Sequence, residues 1–437
     1  MKIQRPAAVA LTISGVLLVA NLLSATVSPN QYVTNYPAVV CPPNSQGLLT
    51  AISLSSTKTQ FRLVGSSATK MRVVKMRRYN ETSSSAIIDS KEMTPAVWQV
   101  QSGVWAGATI CKTPTSSQWF VGGASDVTSR GDLLLVNSGL SPAIADISIW
   151  NEVSAQPDKV ITIKPNSQVS VGLDALAPGS KEIVMKVISR AGRLSAFMID
   201  QRGKGLRSLG GDIVNAAENP SKNIYIPAIP HTIKKSGKKT AVLSHSIRIL
   251  NSSDVDTRVS IQILSSDGSF IPVGLVDREI PKGRVVAIPL NPEINANRFG
   301  LRITSEQPIV AGVFSPTVMK GKSDFIWSTA SPELSPFGLS LTGLSPELIF
   351  TGSTISVGLE ITYNNGKKKS VEINGADFVG FQVPQDVRSV QFSRVSKDTY
   401  GAALMSTPSG SGYFPLEPGS VLTKSAVPTS SIQVLTP

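Results

Sequence analysis

Across residues 246–268 apolar side chains occupy every second position: Ile247 and Ile249, then, after a polar break, Val259, Ile261 and Ile263. A period of two sets one face of a strand against a core and the other in water. Asn251-Ser252-Ser253-Asp254 forms the break, because Asn and Asp side chains bond their own backbone two residues on. Asp267-Gly268 predicts the next tight hairpin. Ile280-Pro281-Lys282-Gly283 then turns the chain into Val286, Ile288 and Leu290, and Leu301, Ile303 and residues 309–313 supply a final pair.

The same order occurs upstream. Leu135-Val136-Asn137 corresponds to Ile249-Leu250-Asn251, and Ile147 and Ile149 to Ile261 and Ile263. Ile163-Lys164-Pro165-Asn166 corresponds to Ile280-Pro281-Lys282-Gly283, and Val169, Val171 and Leu173 to Val286, Ile288 and Leu290. Downstream, Leu359, Ile361 and Tyr363 lead into Asn364-Asn365-Gly366, and residues 41–111 form a more divergent copy. An aromatic mark precedes each copy: Tyr32, Trp119-Phe120, Tyr225 and Phe325-Ile326-Trp327, with Tyr413-Phe414 near the end. Repeats of this size predict an all-β fold of tandem immunoglobulin-like β-sandwich modules over 31–117, 118–205, 222–320 and 324–406. A Ser/Pro-rich tail, 407–437, is expected to be loose apart from Tyr413-Phe414.

The N-terminus breaks this pattern. Lys2 and Arg5 precede an uncharged run over residues 7–27, and no charge follows until Lys58. As a helix the run spans ~31 Å, the hydrocarbon thickness of a bilayer. The charge asymmetry predicts a single-pass anchor within residues 1–28, with the N-terminus cytoplasmic and the bulk extracytoplasmic. The alternative is a cleaved signal peptide, although the run exceeds a usual h-region and no clean cleavage site follows.

Composition adds a partner class. Lys and Arg number 42 against 29 Asp and Glu, a net charge of +13, which favours polyanions. Outside the cytoplasm these are anionic wall polymers or lipid headgroups rather than nucleic acid. The candidate contacts are Lys70, Arg72, Lys75, Arg77 and Arg78; Lys234, Lys235, Lys238 and Lys239; and Lys367, Lys368 and Lys369. Charged tips also guard strand edges without any ligand.

Candidate chemistry is sparse. Cys41 and Cys111 are the only cysteines, and an even count in an exported chain predicts a disulfide. His231 and His245 are the only histidines and read as ordinary surface or edge residues. Ser55-Ser56-Thr57-Lys58 fits S-x-x-K but lacks the partner motifs. Arg130-Gly131-Asp132 runs into a strand, and Asp254, Asp256 and Asp267 read as turn residues. Trp98, Trp105 and Trp119 are expected in a shared core, with a sugar-stacking platform as the alternative. No nucleotide motif appears, no cofactor or metal is expected, and no carboxylate pair stands out for glycan hydrolysis.

Certain residues together resemble an actinobacterial family of membrane-anchored or secreted envelope proteins, a domain of unknown function. They are Val40-Cys41-Pro42-Pro43, Cys111-Lys112-Thr113-Pro114 leading to Trp119-Phe120-Val121-Gly122-Gly123, and the strand–Asn turns at residues 133–139 and 247–253. The resemblance covers most of the chain after residue 30 and implies an exported protein with Cys41 and Cys111 linked. It carries no activity, and Tyr225-Ile226-Pro227 departs from it by lacking Trp. The expectation is a non-enzymatic, membrane-anchored envelope scaffold that binds wall polymers. The alternatives are an accessory subunit of an envelope glycosyltransferase or other membrane enzyme, and a carboxylate-based glycan hydrolase.

Overall fold

The strand Ser129–Asn137 and the strand His245–Asn251 each end on a fully buried asparagine, and the two side chains make the same bonds. Asn137 Nδ2 donates to Ser141 O (2.7 Å) and Ile163 O (3.2 Å), and its Oδ1 accepts Gly139 N–H (2.9 Å). Asn251 Nδ2 donates to Val255 O (2.7 Å) and Ile280 O (3.4 Å), and its Oδ1 accepts Ser253 N–H (3.1 Å). Ile163 and Ile280 are the positions the sequence aligns. A buried amide that satisfies turn and strand together is worth about 1 kcal/mol per bond, which explains why both copies keep Asn.

In the computed structural model the described residues are 32–35, 37–44, 48–67, 70–81, 84–90, 93–101, 104–205, 207–236, 239–319, 321–408, 410–420 and 425–428. They are all-β; among them the one helix is Leu173–Leu176. Residues 38–421 form one unit. In a second unit, Tyr32–Asn35 pairs antiparallel with Ser425–Pro428. The expected membrane anchor lies outside the described residues, among which no helix is long and apolar enough to cross a membrane.

The second copy holds two four-stranded sheets. One runs Ser117–Val121, Val184–Ala191, Ala143–Trp150, Ala155–Ile163; the other runs Ser167–Gly172, Ser129–Asn137, Leu194–Lys204, Arg207–Val214. Ile147, Ile149 and Met185 from the first share a core with Leu133, Leu135 and Met198 from the second. In the third copy one strand, Arg298–Met319, serves both layers. Its start pairs with Ser221–Pro230 and Thr257–Ser265, and its end with His245–Asn251 and Lys322–Thr329. The layers therefore join in one eight-stranded sheet.

The first and last copies are not separate modules, which corrects the boundaries 31–117 and 324–406. Gly338–Ser340 runs parallel to Met93–Gln101, with Gly338 opposite Met93. This pair joins strands from residues 48–110 and 338–415 into one ten-stranded sheet. The tail is ordered beyond the two aromatics expected to be fixed. Gly410–Pro415 is a buried strand antiparallel to Tyr400–Thr407, and Tyr413 and Phe414 are fully buried.

Cys41 and Cys111 form the expected disulfide. Trp98, Trp105 and Trp119 are buried as expected, but each sits in a different apolar cluster rather than a shared one, and none offers an exposed face for a sugar.

Candidate functional site

Two basic stretches nearly 300 residues apart meet on the surface. Lys70, Arg72, Lys75 and Arg78 lie on or beside the strands Arg72–Val74 and Arg78–Glu81 and are exposed. Lys367, Lys368 and Lys369 are exposed where the hairpin turn at Gly366, with φ of 89°, enters the strand Lys368–Gln382. Arg77 Nη1 donates to Asn364 O at that turn (3.0 Å), and Arg78 Nη1 donates to Gly343 O (3.1 Å). Ser53 Oγ to Thr342 O (3.0 Å) and Thr342 Oγ1 to Leu54 O (2.9 Å) fasten the same seam.

The charges on this surface are unevenly used. Lys368 Nζ pairs with Glu360 at 2.6 Å, and the Arg72 guanidinium lies 5.3 Å from the Phe61 ring centre. Among the described residues Lys70, Lys75, Lys367 and Lys369 have no ion-pair partner. Like charges brought near one another build a local positive potential that concentrates anions. The third basic group is not brought to this surface by any strand pairing. Its ribbon, Ile233–Ser236 against Lys239–Val242, carries Lys234, Lys235 and Lys239 as a separate two-stranded sheet, and Lys238 lies outside the described residues.

A second cluster is internal and has no motif in the sequence. Asp200 and Asp212 are fully buried against Trp327, and Asp324, 5% exposed, lies close enough for its charge to act on Asp212. Trp327 Nε1 donates to Asp200 Oδ2 (2.8 Å) and Trp327 N–H donates to Asp212 Oδ2 (2.7 Å). Arg202 Nε donates to Asp200 Oδ2 (3.1 Å), and Gly211 N–H donates to Asp324 Oδ1 (3.3 Å). Arg248, 2% exposed, lies 4.6 Å from the Trp327 ring centre, donates to Gly123 O (2.7 Å) and Ile183 O (2.9 Å), and pairs with Glu182. Burial holds the Asp212 carboxyl well above the carboxylate range, with the charges of Asp324 and Asp200 adding to it. Burial raises Asp324 to about 7. Residues so enclosed cannot meet a substrate; they fasten the second copy to the third. The one sequence signal was a set of charges at inward positions of apolar strands.

The histidines correct their expected exposure. His231 and His245 are 4% and 1% exposed. His231 Nδ1 and His245 Nε2 lie 3.1 Å apart, His245 Nδ1 lies 2.9 Å from Ser315 Oγ, and the Phe299 ring packs edge-on to both. Burial lowers His231, and burial with the neighbouring His231 lowers His245 to about 4. Ser315 is fully buried, so this chain of bonds offers no exposed nucleophile.

The other motifs are structural. Ser55–Lys58 opens no helix, and Arg130–Asp132 lies inside the strand Ser129–Asn137. Asp256 Oδ1 accepts Lys282 N–H (2.9 Å), and Asp267 Oδ2 accepts Asn295 N–H (2.8 Å), both as turn contacts. Among the described residues no group of three or more His, Cys, Asp or Glu is placed to hold a metal ion.

Residues 91–377 match the Family of unknown function (DUF5719), roughly two thirds of the chain. No curated protein matches the sequence. A solved structure titled "Crystal Structure of Thermotoga maritima 1070" is 18% identical over 23% of this chain and 92% of that one, with a TM-score of 0.21. A likeness that small carries no argument.

Proposed function

Because the chain belongs to the DUF5719 family, whose description states no function, we propose a role from its own geometry: a non-enzymatic, membrane-anchored extracytoplasmic protein that binds anionic wall polymers. The carrying observation is the 3.0 Å bond from Arg77 to Asn364 O, which merges two basic stretches into one surface. The Cys41–Cys111 disulfide supports an oxidising compartment. The uncharged run over residues 7–27 supports the anchor, and the resemblance seen in the sequence supports a bacterial envelope. The facing four-stranded sheets of the second copy support its reading as an immunoglobulin-like sandwich.

The test is retention on purified anionic wall polymer at two salt concentrations. The full chain is expected to bind at low salt and to release at high salt. Lys70→Glu/Lys75→Glu and Lys367→Glu/Lys369→Glu should each weaken binding by a similar factor if the stretches act as one surface. Absence of retention at low salt, or unchanged binding in either double variant, overturns the reading.

A second reading, an accessory subunit of an envelope glycosyltransferase or similar membrane enzyme, is favoured by one observation. Phe270, at the end of a strand, and Ile271, Val273 and Val276 in the loop after it are exposed, Val273 completely so, and exposed apolar patches mark protein-facing surfaces. Crosslinking in intact cells separates the two readings, since one dominant protein partner favours the subunit.

A further inference from the structure

Four chain crossings meet at a cleft of about 280 Å³: residues 112–118, 216–219, 332–335 and 417–419. Its walls are tied by the backbone. Thr113 N–H donates to Gly419 O (2.7 Å), Ala217 N–H to Trp119 O (2.8 Å) and Glu218 N–H to Ala330 O (3.2 Å). Gly419 N–H donates to Thr94 Oγ1 (2.7 Å). The cleft is thus built by the fold and needs no ligand to shape it.

Its charge runs against that of the chain. Glu218, Glu333 and Glu417 line it with one cation, Lys112. Lys112 pairs with Glu417, and Glu333 Oε1 accepts Asp398 N–H (2.8 Å). The Glu218 carboxylate has neither hydrogen bond nor ion pair among the described residues. Burial raises the Glu417 carboxyl, Lys112 lowers it, and the charge of Glu218 raises it further. Two neighbouring carboxylates thus have one paired ammonium between them, the one held by Glu417.

A neighbouring pocket supplies a second, independent observation. A chamber of about 20 Å³ shares Lys112, Thr113, Gln118 and Ala216 with the cleft and is lined by Ser195. Ser195 is 3% exposed and its Oγ has no partner; the Ser117 Oγ on the cleft wall has none either. A buried hydroxyl left unpaired costs about 1–3 kcal/mol, and the chamber has room for one water-sized polar group.

We infer that this cleft binds a small polar group carrying one ammonium, of the size of an amino sugar or an amino-acid side chain. The ammonium sits between Glu218 and Glu417, and the hydroxyls of Ser117 and Ser195 meet the ligand's polar atoms or a water held by it. The volume is at the low end of small-molecule sites, ~300–1,000 Å³, which fits one such unit. This site selects the charge opposite to that chosen by the basic surface, so either proposal can fail without the other.

The test is saturation-transfer NMR on the full chain with glucosamine and Nα-acetyl-lysine. N-acetylglucosamine and Nα,Nε-diacetyl-lysine serve as uncharged counterparts. At least one ammonium probe should bind saturably, with its counterpart weaker by about tenfold or more. Binding of glucosamine alone identifies an amino sugar, and of the lysine derivative alone an amino-acid side chain. Glu218→Gln should lose about tenfold in affinity with an unchanged melting curve. On the unmodified chain, binding should also weaken on acidification, because burial raises the Glu417 carboxyl and it takes up its proton early. No saturable binding of either ammonium probe, equal binding of the uncharged forms, or binding that ignores pH overturns the inference.

Discussion

Asp212 stands directly across from Asp200 on the neighbouring strand, with both carboxyl groups fully buried and both bonded to Trp327. Two facing carboxylates in an apolar seam are stable only when a proton is kept, and burial places it on Asp212. A raised acid keeps its proton in the folded chain after the unfolded chain has lost it. Stability is therefore full below the ordinary carboxylate value of 3.8 and falls as pH rises, up to about 7 for Asp324, with Asp212 acting in the same direction. Each group contributes a slope of about 1.4 kcal/mol per pH unit within its window. Asp212→Asn, which keeps the shape without the charge, should raise stability at pH 7 by on the order of 1–3 kcal/mol and leave it nearly unchanged at pH 4. Urea denaturation at the two pH values checks this.

The buried histidine pair should act in the opposite sense. His245 is lowered from 6.5 to about 4, so its contribution is full above pH 6.5 and is lost as pH falls towards 4. That window overlaps the one in which the aspartates lose stability as pH rises, so the intact chain should show a flattened profile between pH 4 and 6.5. Asp212→Asn/Asp324→Asn should expose the histidine slope, and His245→Phe should remove it while costing about 1–3 kcal/mol from the partners left unpaired. Identical pH profiles for the three proteins would contradict the assignment.

The disulfide closes a loop of 70 residues around the apolar cluster of Ile52, Phe61 and Ile88. Chain entropy alone gives about 4 kcal/mol for a loop of that length. Cys41→Ala/Cys111→Ala should lower the urea midpoint accordingly, and a reducing agent should shift the native chain and leave the variant unmoved.

The C-terminal strand is part of the core. A Cβ at Gly412 would lie 2.6 Å from Ala108 N and 2.8 Å from the Trp98 ring. Gly412→Ala should destabilise by about 1–3 kcal/mol, and truncation after Thr407, which removes buried Tyr413 and Phe414, should yield an aggregating chain. A truncated protein with a native melting curve would refute this.

The strands were legible in the alternation around Ile247, Ile249, Val259 and Ile261, because a half-buried strand writes its period into the chain. The Asn137 and Asn251 turns were legible because a local side-chain bond needs only residues close in sequence. The basic stretches were visible as composition, but their meeting was not, since the Arg77–Asn364 bond spans 287 residues. The exposure assigned to His231 and His245 failed for the same reason: Phe299 and Ser315, which enclose and bond them, come from a distant strand. By itself the sequence determined the all-β character, the repeat, the disulfide and the sign of the surface charge, all of which follow from local pattern and counts. Only the tertiary structure decided which copies share a sheet, which charges are buried around Trp327, and where a cleft of opposite charge opens, because these depend on contacts between segments that no local period encodes.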